Sequence, residues 1–459
     1  MVMRTWKAAI IGGGPGGLMT AYLLEKLAAA PIDLTLYEAS HRLGGKIQTM
    51  SFGSTPAPYE AGAAEFYDYS SIDDDPLRLL VQELGLSITQ MSGSAVVMDE
   101  GFLSNLDDVR DCLGDVAAAA IVAFDRSAQD AMSPRDFYAL GQSHREVLRQ
   151  GIDRFGDLLD AIDEPHAVRY IERLIHSDLA TEPNNTSVSY GLQNYLMNHP
   201  AYMRLYAIEG GNEQLTRALA ARIKARILLK HRVECVSRDN AGRLRVEATH
   251  ANSTGSDSFD SVIVALPIEH LAALHFSDPV LAQAMQRHLD HHDHPAHYLR
   301  ITILFDRPFW RPMLPGSFFM LDRFDGCCLY DESSRNPGSQ HAVLGWLIGG
   351  SAALRLSPLA DDELVRLALD SLPSQLALGR GQVVEARVHR WLHAVSALPG
   401  GCTPLPIDRR HQPDPLNHPD LFVVGDYLFD STLNGVLDSA EHVSGWLSDL
   451  INAGPGVLL

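Results

Sequence analysis

A glycine-rich loop near the start of the chain has the composition of a dinucleotide site. The loop, Gly12-Gly13-Gly14-Pro15-Gly16-Gly17, follows an apolar strand-like run and opens an apolar helix-like run. Gly12 permits a tight turn, Gly14 lets the backbone approach a pyrophosphate, and Gly17 lets the helix pack on its strand, with the helix N-terminus facing the anion. Glu38 ends the next strand-like run, where its carboxylate is expected to accept hydrogen bonds from ribose hydroxyls. This context predicts a bound dinucleotide and disfavours a glycine turn without a ligand.

The runs that follow this loop predict an α/β unit that the chain leaves and re-enters. Strands are predicted at 232–236, 244–248, 261–267, 298–305, 342–347, 383–391 and 421–426. Helices are predicted over 74–86 and 435–450, and helical spacing of apolar residues from 105 to about 175 indicates a helical insertion. The chain is thus predicted to return twice to the nucleotide-binding unit.

A histidine-rich tract lies just before the strand predicted at 298–305. Its members are His288, His291, His292, His294 and His297. A structural metal site needs a defined geometry with supporting groups behind the ligands, and no cysteine or clustered acid flanks the tract at ligand spacing. We therefore predict a polar connector and no metal site.

Length, charge and cysteine content narrow the class of protein. The 459 residues suit two or three domains, and the net charge of −20 disfavours nucleic acid and anionic lipid as partners. No apolar stretch reaches the ~20 residues that span a bilayer. No cleavable leader precedes the first strand, so a cytoplasmic location is expected. The 5 cysteines, an odd number without metal-like spacing, argue against a disulfide framework or a zinc site.

Two further motifs accompany the first loop. Arg42-Leu43-Gly44-Gly45 follows Glu38, and Gly425-Asp426 follows an apolar strand near the end of the chain. With the first loop, these motifs resemble the flavin-containing amine oxidase superfamily, which includes monoamine, polyamine and L-amino-acid oxidases and, more distantly, isoprenoid desaturases. The resemblance implies that FAD is the cofactor. It also implies that the arginine and the two glycines meet the pyrophosphate and the flavin, and that Asp426 contacts the ribitol.

Weaker similarities extend this assignment. Val233 falls where the family's adenine-side strand makes backbone contacts, although it could equally belong to the core. The stretch that begins at Asn434, with Gly435 and Val436, resembles the segment whose backbone reaches the pyrimidine edge of the flavin. A helix N-terminus there would stabilise the negative charge that develops on the flavin during reduction.

The resemblance and the pattern of elements together predict the fold class. We expect an α/β fold in which a discontinuous Rossmann-like FAD-binding domain is joined to an α+β substrate domain of mixed sheet, with the active site between the domains. The FAD-binding domain is predicted at 1–72, 206–296 and 415–459. The substrate domain is predicted at 73–205 and 297–414, with the helical insertion at about 105–200.

The chain departs from the family at the residues that would act on substrate. The strand that leads to Trp310 resembles the segment that bears a lysine in amine oxidases, and the corresponding position here is Arg300. Because arginine stays charged, the usual proton-shuttling role of the lysine is in doubt. Arg300 could instead anchor a carboxylate or hold the reduced flavin anion, with an exposed strand charge as the alternative.

Other candidates surround this position. Glu65 lies where the family strand passes the flavin, and it would suit a cationic group or a proton transfer if burial raised its pKa. Two aromatic positions that receive the amine in amine oxidases correspond to Val436 and the vicinity of Cys402, so that aromatic cage is missing. Trp310 and Trp391 could supply aromatic walls, or belong to the core. Cys402 could carry flavin covalently, although an unreactive thiol is favoured.

These observations predict an FAD-dependent oxidoreductase that removes a hydride from a small organic substrate. A C–N bond of an amine or amino acid is favoured, with oxygen or another electron acceptor taking the electrons. One alternative is a desaturase or isomerase acting on a C–C bond of an isoprenoid or natural-product precursor. Another is a flavin-binding partner protein without turnover. A homodimer stays open, because nothing in the sequence decides the oligomeric state.

Overall fold

A computed structural model describes residues 5–93, 95–143, 152–336, 341–402 and 404–453. The chain forms two compact units, each built from separate segments. The first unit comprises residues 1–47, 213–293 and 404–459, and the second comprises 48–212 and 294–403.

The first unit is organised around a parallel sheet of five strands. The apolar side chains of its inner strands are almost all buried, as expected for a parallel sheet that is covered on both faces, whereas the edge strand Arg226–Leu229 is partly exposed. In spatial order the strands are Arg226–Leu229, Ile32–Glu38, Trp6–Ile11, Ser261–Val264 and Leu421–Val423. The last strand is shorter than the predicted 421–426, because the chain turns at Gly425 into the 3₁₀ helix Asp426–Leu428.

A second sheet and six helices complete the first unit. The sheet has the order Ser253–Phe259, Leu244–His250, Arg232–Arg238 and His275–Phe276. The helices are Pro15–Leu27, Glu213–Ala220, Ile268–Leu271, Pro279–His292, Ile407–Arg410 and Leu433–Ala453.

The structure corrects the assignment of the histidine tract. His288, His291 and His292 lie at the end of the helix Pro279–His292, whose N-cap residue is Asp278. His297 lies in the strand Pro295–Phe305. Leu281, Met285 and His288 lie on the buried face of the helix. The proline suits the start of the helix, and the helical spacing of its buried residues extends as far as the histidines.

The second unit is organised around a mixed sheet of seven strands. In spatial order these are Val383–Ser396, Pro295–Phe305, Ala342–Gly349, Cys327–Asp331, Phe318–Leu321, Val96–Met98 and Gly101–Leu103. Neighbouring strands run antiparallel, except for the parallel pair formed by Phe318–Leu321 and Val96–Met98. A core cluster that includes Ile301, Trp310 and Trp346 packs on this sheet.

Nine α-helices are described in this part of the chain. They are Pro76–Glu83, Leu106–Leu113, Asp115–Ala131, Pro134–Ser143, Phe155–Asp160, Pro165–Leu179, Val188–Leu196, Gly350–Leu356 and Asp361–Ser371. The helical insertion predicted from residue 105 is confirmed for the described residues, and its part at 144–151 lies outside them. Three 3₁₀ helices are Pro183–Asn185, Glu332–Arg335 and Ser374–Gly381. Among the described helices, none combines the length and the apolar character that a bilayer span requires.

Two small antiparallel sheets explain why residues 48–72 belong to the second unit and not, as predicted, to the first. Thr49–Ser51 pairs with Pro58–Glu60, and Phe66–Asp68 pairs with Arg204–Ile208, which is followed in the sheet by Ile88–Met91. Because these partners all lie in the second unit, hydrogen bonding draws the segment there. The other predicted boundaries also move, from 206 to 213, from 296 to 293 and from 415 to 404.

Candidate active site

The glycine loop in the first unit leaves no room for side chains at two of its positions. Gly12 has a φ of +115°, and a Cβ there would lie 2.3 Å from the Ala265 carbonyl oxygen. A Cβ on Gly17 would lie 2.0 Å from the carbonyl oxygen of Gly12. The predicted tight turn and close packing of the helix are therefore confirmed.

At Gly14 the loop has free space beside it. The nearest atom to a Cβ there is the Gly45 Cα, at 3.8 Å. Gly14 is also the N-cap of the helix Pro15–Leu27, whose N-terminal amides donate no hydrogen bond to a capping side chain. An uncapped helix N-terminus next to a backbone without side chains suits a pyrophosphate.

We refer to the loop formed by residues 12–17 as the glycine cradle. The side chains of Glu38 and Arg42 form hydrogen bonds with the backbone in and beside it. The Glu38 carboxylate accepts hydrogen bonds from the Gly13 amide at 2.8 Å and the Ser40 amide at 2.7 Å. The Arg42 guanidinium donates to the carbonyls of Leu43 and Gly45, at 3.1 and 2.5 Å. Contacts of these two side chains with ribose and phosphate stay predictions.

Side-chain contacts within the first unit also hold the C-terminal motif Gly425-Asp426. The amide of Gly425 donates to the Ser439 hydroxyl at 3.2 Å, and Asp426 lies 3.9 Å from the Lys46 ammonium. The amide of Gly435 donates to the Thr432 hydroxyl at 3.0 Å, at the start of a helix that buries Val436. The described residues thus present a second helix N-terminus, as the flavin end of the predicted site requires.

Val233 lies on the strand Arg232–Arg238, beside a register shift between Val233 and Cys235. Its side chain is partly buried and packs against the core of the first unit. The side chain therefore has a packing role, and the adenine-side backbone contact stays a prediction.

The second unit contains a cavity of about 750 Å³ whose lining residues all belong to that unit. Glu65, Asp178, Cys328 and Tyr330 contribute polar groups, and methionine, leucine and phenylalanine side chains form much of the rest. The basic side chain in the described lining is Arg204, which is exposed. The cavity therefore combines apolar walls with two carboxyl groups.

Burial perturbs both of these carboxyl groups. Glu65 is partly accessible and lines the cavity. Burial raises its pKa, although the Tyr330 hydroxyl and the charge of Arg335 oppose the rise. Its Oε2 atom has no hydrogen-bond partner among the described residues. Burial also raises the pKa of Asp178 well above its usual value, and the charge of Glu65 raises it further. A carboxyl pair of this kind stabilises a bound cation or holds a proton.

Arg300 lies inside the second unit and is fully buried. Its guanidinium forms an ion pair with Glu332, which is also fully buried, and donates to the carbonyl of Gly62 at 3.3 Å. The exposed-charge alternative is therefore wrong. Arg300 lies close enough to Glu65 for its positive charge to oppose the rise in the pKa of that carboxyl.

The three predicted pocket residues lie in different surroundings. Trp310 is fully buried in the core and donates to Asp331 at 3.1 Å, so it packs the sheet and does not face the cavity. Trp391 is partly buried and donates to the Ala61 carbonyl at 2.5 Å. The Cys402 sulfur lies 3.9 Å from His294 Nε2 and is partly exposed.

Sequence reasoning missed Asp178, Tyr330, Glu332 and Arg335. Asp178 is one polar residue near the end of the helix Pro165–Leu179, and no motif marks it. Glu332 and Arg335 are three positions apart in a short 3₁₀ helix, a spacing that places the pair on one side. That spacing was the one available signal, and it does not reveal burial.

Comparison with known proteins agrees with these features. Residues 15–445 match the family described as flavin containing amine oxidoreductase. AofH of Mycobacterium tuberculosis, which is named as a flavin-containing monoamine oxidase, is 24% identical over 67% of this chain and 66% of its own length. The flavin-dependent L-tryptophan oxidase RebO of Lentzea aerocolonigenes is 27% identical over 58% of this chain and 59% of its own. Coproporphyrinogen III oxidase of Mycobacterium bovis is 24% identical over 58% and 60%. The chain thus matches between 59% and 66% of these relatives' lengths.

Solved structures show the same fold. Putrescine oxidase bound to putrescine superposes with a TM-score of 0.74, covering 98% of this chain and 100% of that one at 16% identity. The α/β fold class is confirmed by this likeness, and the cofactor is FAD. The family's description as an oxidoreductase disfavours the non-catalytic alternative. Because the match extends over residues 15–445, the chain belongs to the flavin-containing amine oxidoreductase family.

Proposed function

We propose that this protein oxidises a C–N bond of a small amine or amino acid and passes the electrons to oxygen. The observation that carries the proposal is the cavity of the second unit, where Glu65 and Asp178 border an otherwise largely apolar space. A cationic ammonium is the ligand that such carboxyl groups hold best, while the apolar walls suit its carbon skeleton. The amine, tryptophan and putrescine named for the relatives support the same class of substrate.

The glycine cradle of the first unit would hold the FAD pyrophosphate, with Glu38 and Asp426 near its sugar hydroxyls. When bound, FAD supplies the capacity to accept a hydride from the carbon next to nitrogen. The protein's own side chains orient the substrate and manage its charge. Glu65 suits this task, because an amine must lose its proton before it gives up a hydride, and a carboxylate of raised pKa is a better proton acceptor.

Glu65→Gln tests the proposal. Loss of a charge-assisted hydrogen bond should lower kcat/KM for amines about 10- to 100-fold while flavin absorbance stays unchanged. Only ionised Glu65 attracts an ammonium, so in the unmodified protein kcat/KM should rise with pH through a pKa above the usual glutamate value. The variant should lack that limb. Ser104→Ala, at another cavity position, is the matched control and should change neither quantity.

Oxidation of a C–C bond is the second candidate, and Arg300 favours it. By the sequence resemblance this residue takes the place of the lysine of amine oxidases, and its guanidinium lies in a buried ion pair with Glu332. A peroxide assay over a panel of amines and amino acids separates the two candidates. Turnover with any of them supports C–N oxidation. Silence across the panel, together with desaturation of an isoprenoid or porphyrinogen substrate, would support the second candidate.

The cytoplasmic location, the homodimer and the choice of oxygen as acceptor stay predictions. Stopped-flow reoxidation of the reduced protein by oxygen, compared with a quinone, would decide the acceptor. A rate with oxygen that is too slow to account for turnover would contradict oxygen as the physiological acceptor.

A further inference from the structure

Side chains from elsewhere in the second unit hold four consecutive backbone carbonyls just before Glu65. We refer to residues 61–64 as the carbonyl segment. The contacts, in chain order, are Trp391 to Ala61 at 2.5 Å, Arg300 to Gly62 at 3.3 Å, Asn212 to Ala63 and to Ala64 at 3.0 Å each, and Arg335 to Ala64. Irregular backbone usually bonds to itself or to water, so this number of side-chain donors on successive carbonyls is unusual. The carbonyl segment is therefore fixed from several directions.

The two arginines that contact the carbonyl segment also form ion pairs with one buried carboxylate. Arg300 and Arg335 both form ion pairs with Glu332, the second at 3.0 Å. The Glu332 oxygen that pairs with Arg335, Oε2, also accepts a hydrogen bond from the Glu60 amide at 3.2 Å. All three charged side chains are less than 5% exposed. In such surroundings the guanidinium groups have little freedom to reorient.

The same two arginines also reach Glu65 through an aromatic ring. Each guanidinium lies 5.3 Å from the centre of the Tyr330 ring. That ring lines the cavity together with Glu65, and its hydroxyl opposes the rise in the pKa of the Glu65 carboxyl. The carbonyl segment thus fixes the backbone just before Glu65, and the ring that acts on its carboxyl packs against the same two arginines.

We propose that Arg300 and Arg335 are positioning residues that set the orientation and protonation of Glu65 in the cavity. The role of Glu65 toward substrate rests on the proposed function, whereas its restraint by the arginines does not. Lysine at position 300 would offer a single ammonium in place of a fork of donors, so it could not hold both the Gly62 carbonyl and Glu332 in the same way. The arginine at the family's lysine position is therefore explained as a scaffold for a neighbouring acid.

The test is a pair of substitutions measured with and without Glu65. Arg300→Lys keeps the charge, and Tyr330→Phe removes only the hydroxyl that opposes the rise in the pKa of Glu65. Each should lower kcat/KM for an amine about tenfold in the unmodified protein and less than about twofold in the Glu65→Gln background, because contacting groups are not additive. Equal losses in both backgrounds would show that these residues act independently of Glu65 and would overturn the proposal.

A measurement without substrate separates the two proposals. Infrared difference spectra of the protein against Glu65→Gln identify the carbonyl band of the protonated Glu65 carboxyl, and its titration gives the pKa. Arg300→Lys and Tyr330→Phe should shift that band and its titration. An unchanged band would overturn the positioning role. If the band shifts while Glu65→Gln leaves amine oxidation intact, the positioning role stands and the assignment of Glu65 to substrate fails.

Arg311→Lys is the matched control. Arg311 makes a partly exposed ion pair with Asp331 at 2.6 Å, next to Glu332 in sequence, and its described hydrogen bonds go to Asp331. The same chemical change there should leave the Glu65 band in place. A shift as large as that of Arg300→Lys would show that the band reports general loosening of the unit, which would count against the proposal.

Discussion

The candidate site of the first unit is formed mainly by backbone groups, whereas that of the second unit is formed by side chains. In the first unit the glycine loop offers backbone groups, and its main requirement is that side chains be absent at Gly12 and Gly17. In the second unit the site depends on side chains: Glu65 lines the cavity, and the buried Glu332 pairs with the arginines that hold the backbone before Glu65. A site made of backbone tolerates no Cβ, whereas a site made of buried charges tolerates no loss of a partner. The four predictions below test that contrast.

The largest effect is expected where a side chain is forced into the backbone site. A Cβ at Gly17 would lie 2.0 Å from a backbone oxygen, so Gly17→Ala must move the helix away from its strand. We expect the purified variant to lack flavin absorbance. Gly445→Ala is the control, because nothing lies within 4 Å of a Cβ there, and it should raise the unfolding free energy by up to about 1 kcal/mol. A fully coloured Gly17→Ala protein would contradict the assignment of the cradle.

In the second unit, the largest effect is expected from the carboxylate that two buried arginines share. Glu332→Gln keeps the shape of the side chain but leaves both guanidinium groups without their partner. The free energy of unfolding should fall by about 3–5 kcal/mol, as measured by chemical denaturation. Asp107→Asn, in an exposed ion pair with Arg110, should cost less than about 1 kcal/mol. Similar losses in both variants would show that burial does not distinguish the two pairs.

The pH dependence of stability should reflect the titration of Glu60. Burial raises the pKa of this residue from the usual 4.5 to about 7. Since the folded state favours the protonated form, its stabilising contribution is complete below about pH 4.5 and is lost as the pH rises through about 7. The loss amounts to about 3 kcal/mol. Glu60→Gln should remove this slope from denaturation curves recorded between these limits. Parallel curves for the two proteins would contradict the predicted pKa.

The smallest effect is expected at Gly14, and it concerns the ligand alone. The protein leaves 3.8 Å of space at the position of a Cβ there, so Gly14→Ala should leave the Tm of the apoprotein unchanged. The added methyl group should instead obstruct the pyrophosphate and weaken FAD binding about tenfold, or about 1.4 kcal/mol. Titration of the apoprotein with FAD, followed by flavin fluorescence, measures the change. Unaltered affinity would mean that the pyrophosphate does not approach Gly14.

Much of the fold could be predicted from local patterns. The strand predicted at 261–267 appears as Ser261–Val264 and the terminal helix appears as Leu433–Ala453, because apolar runs and their period report burial directly. The histidine tract was wrongly predicted as a connector. Polar residues there hid a helical spacing whose buried face includes His288. The boundary at 72 was misplaced because strand pairing between distant segments leaves no local trace.

The candidate sites differ in the same respect. Gly12 and Gly17 could be recognised because only glycine meets their conformational and packing demands, and those demands are visible in a few neighbouring residues. Asp178 and Tyr330 could not be recognised. Each is unremarkable among its sequence neighbours, and the cavity that gives them meaning is formed by segments more than a hundred residues apart.

The sequence alone therefore determined the glycine turn at Gly12 and Gly17 and the family, since positions that admit no side chain select glycine directly. It also located Glu65 and Arg300, but it left the state of each open. Only the tertiary structure decided that Glu65 has a raised pKa and that Arg300 is buried against Glu332. The physical reason is that desolvation and charge pairing depend on every group that surrounds an atom, and those groups come from distant parts of the chain.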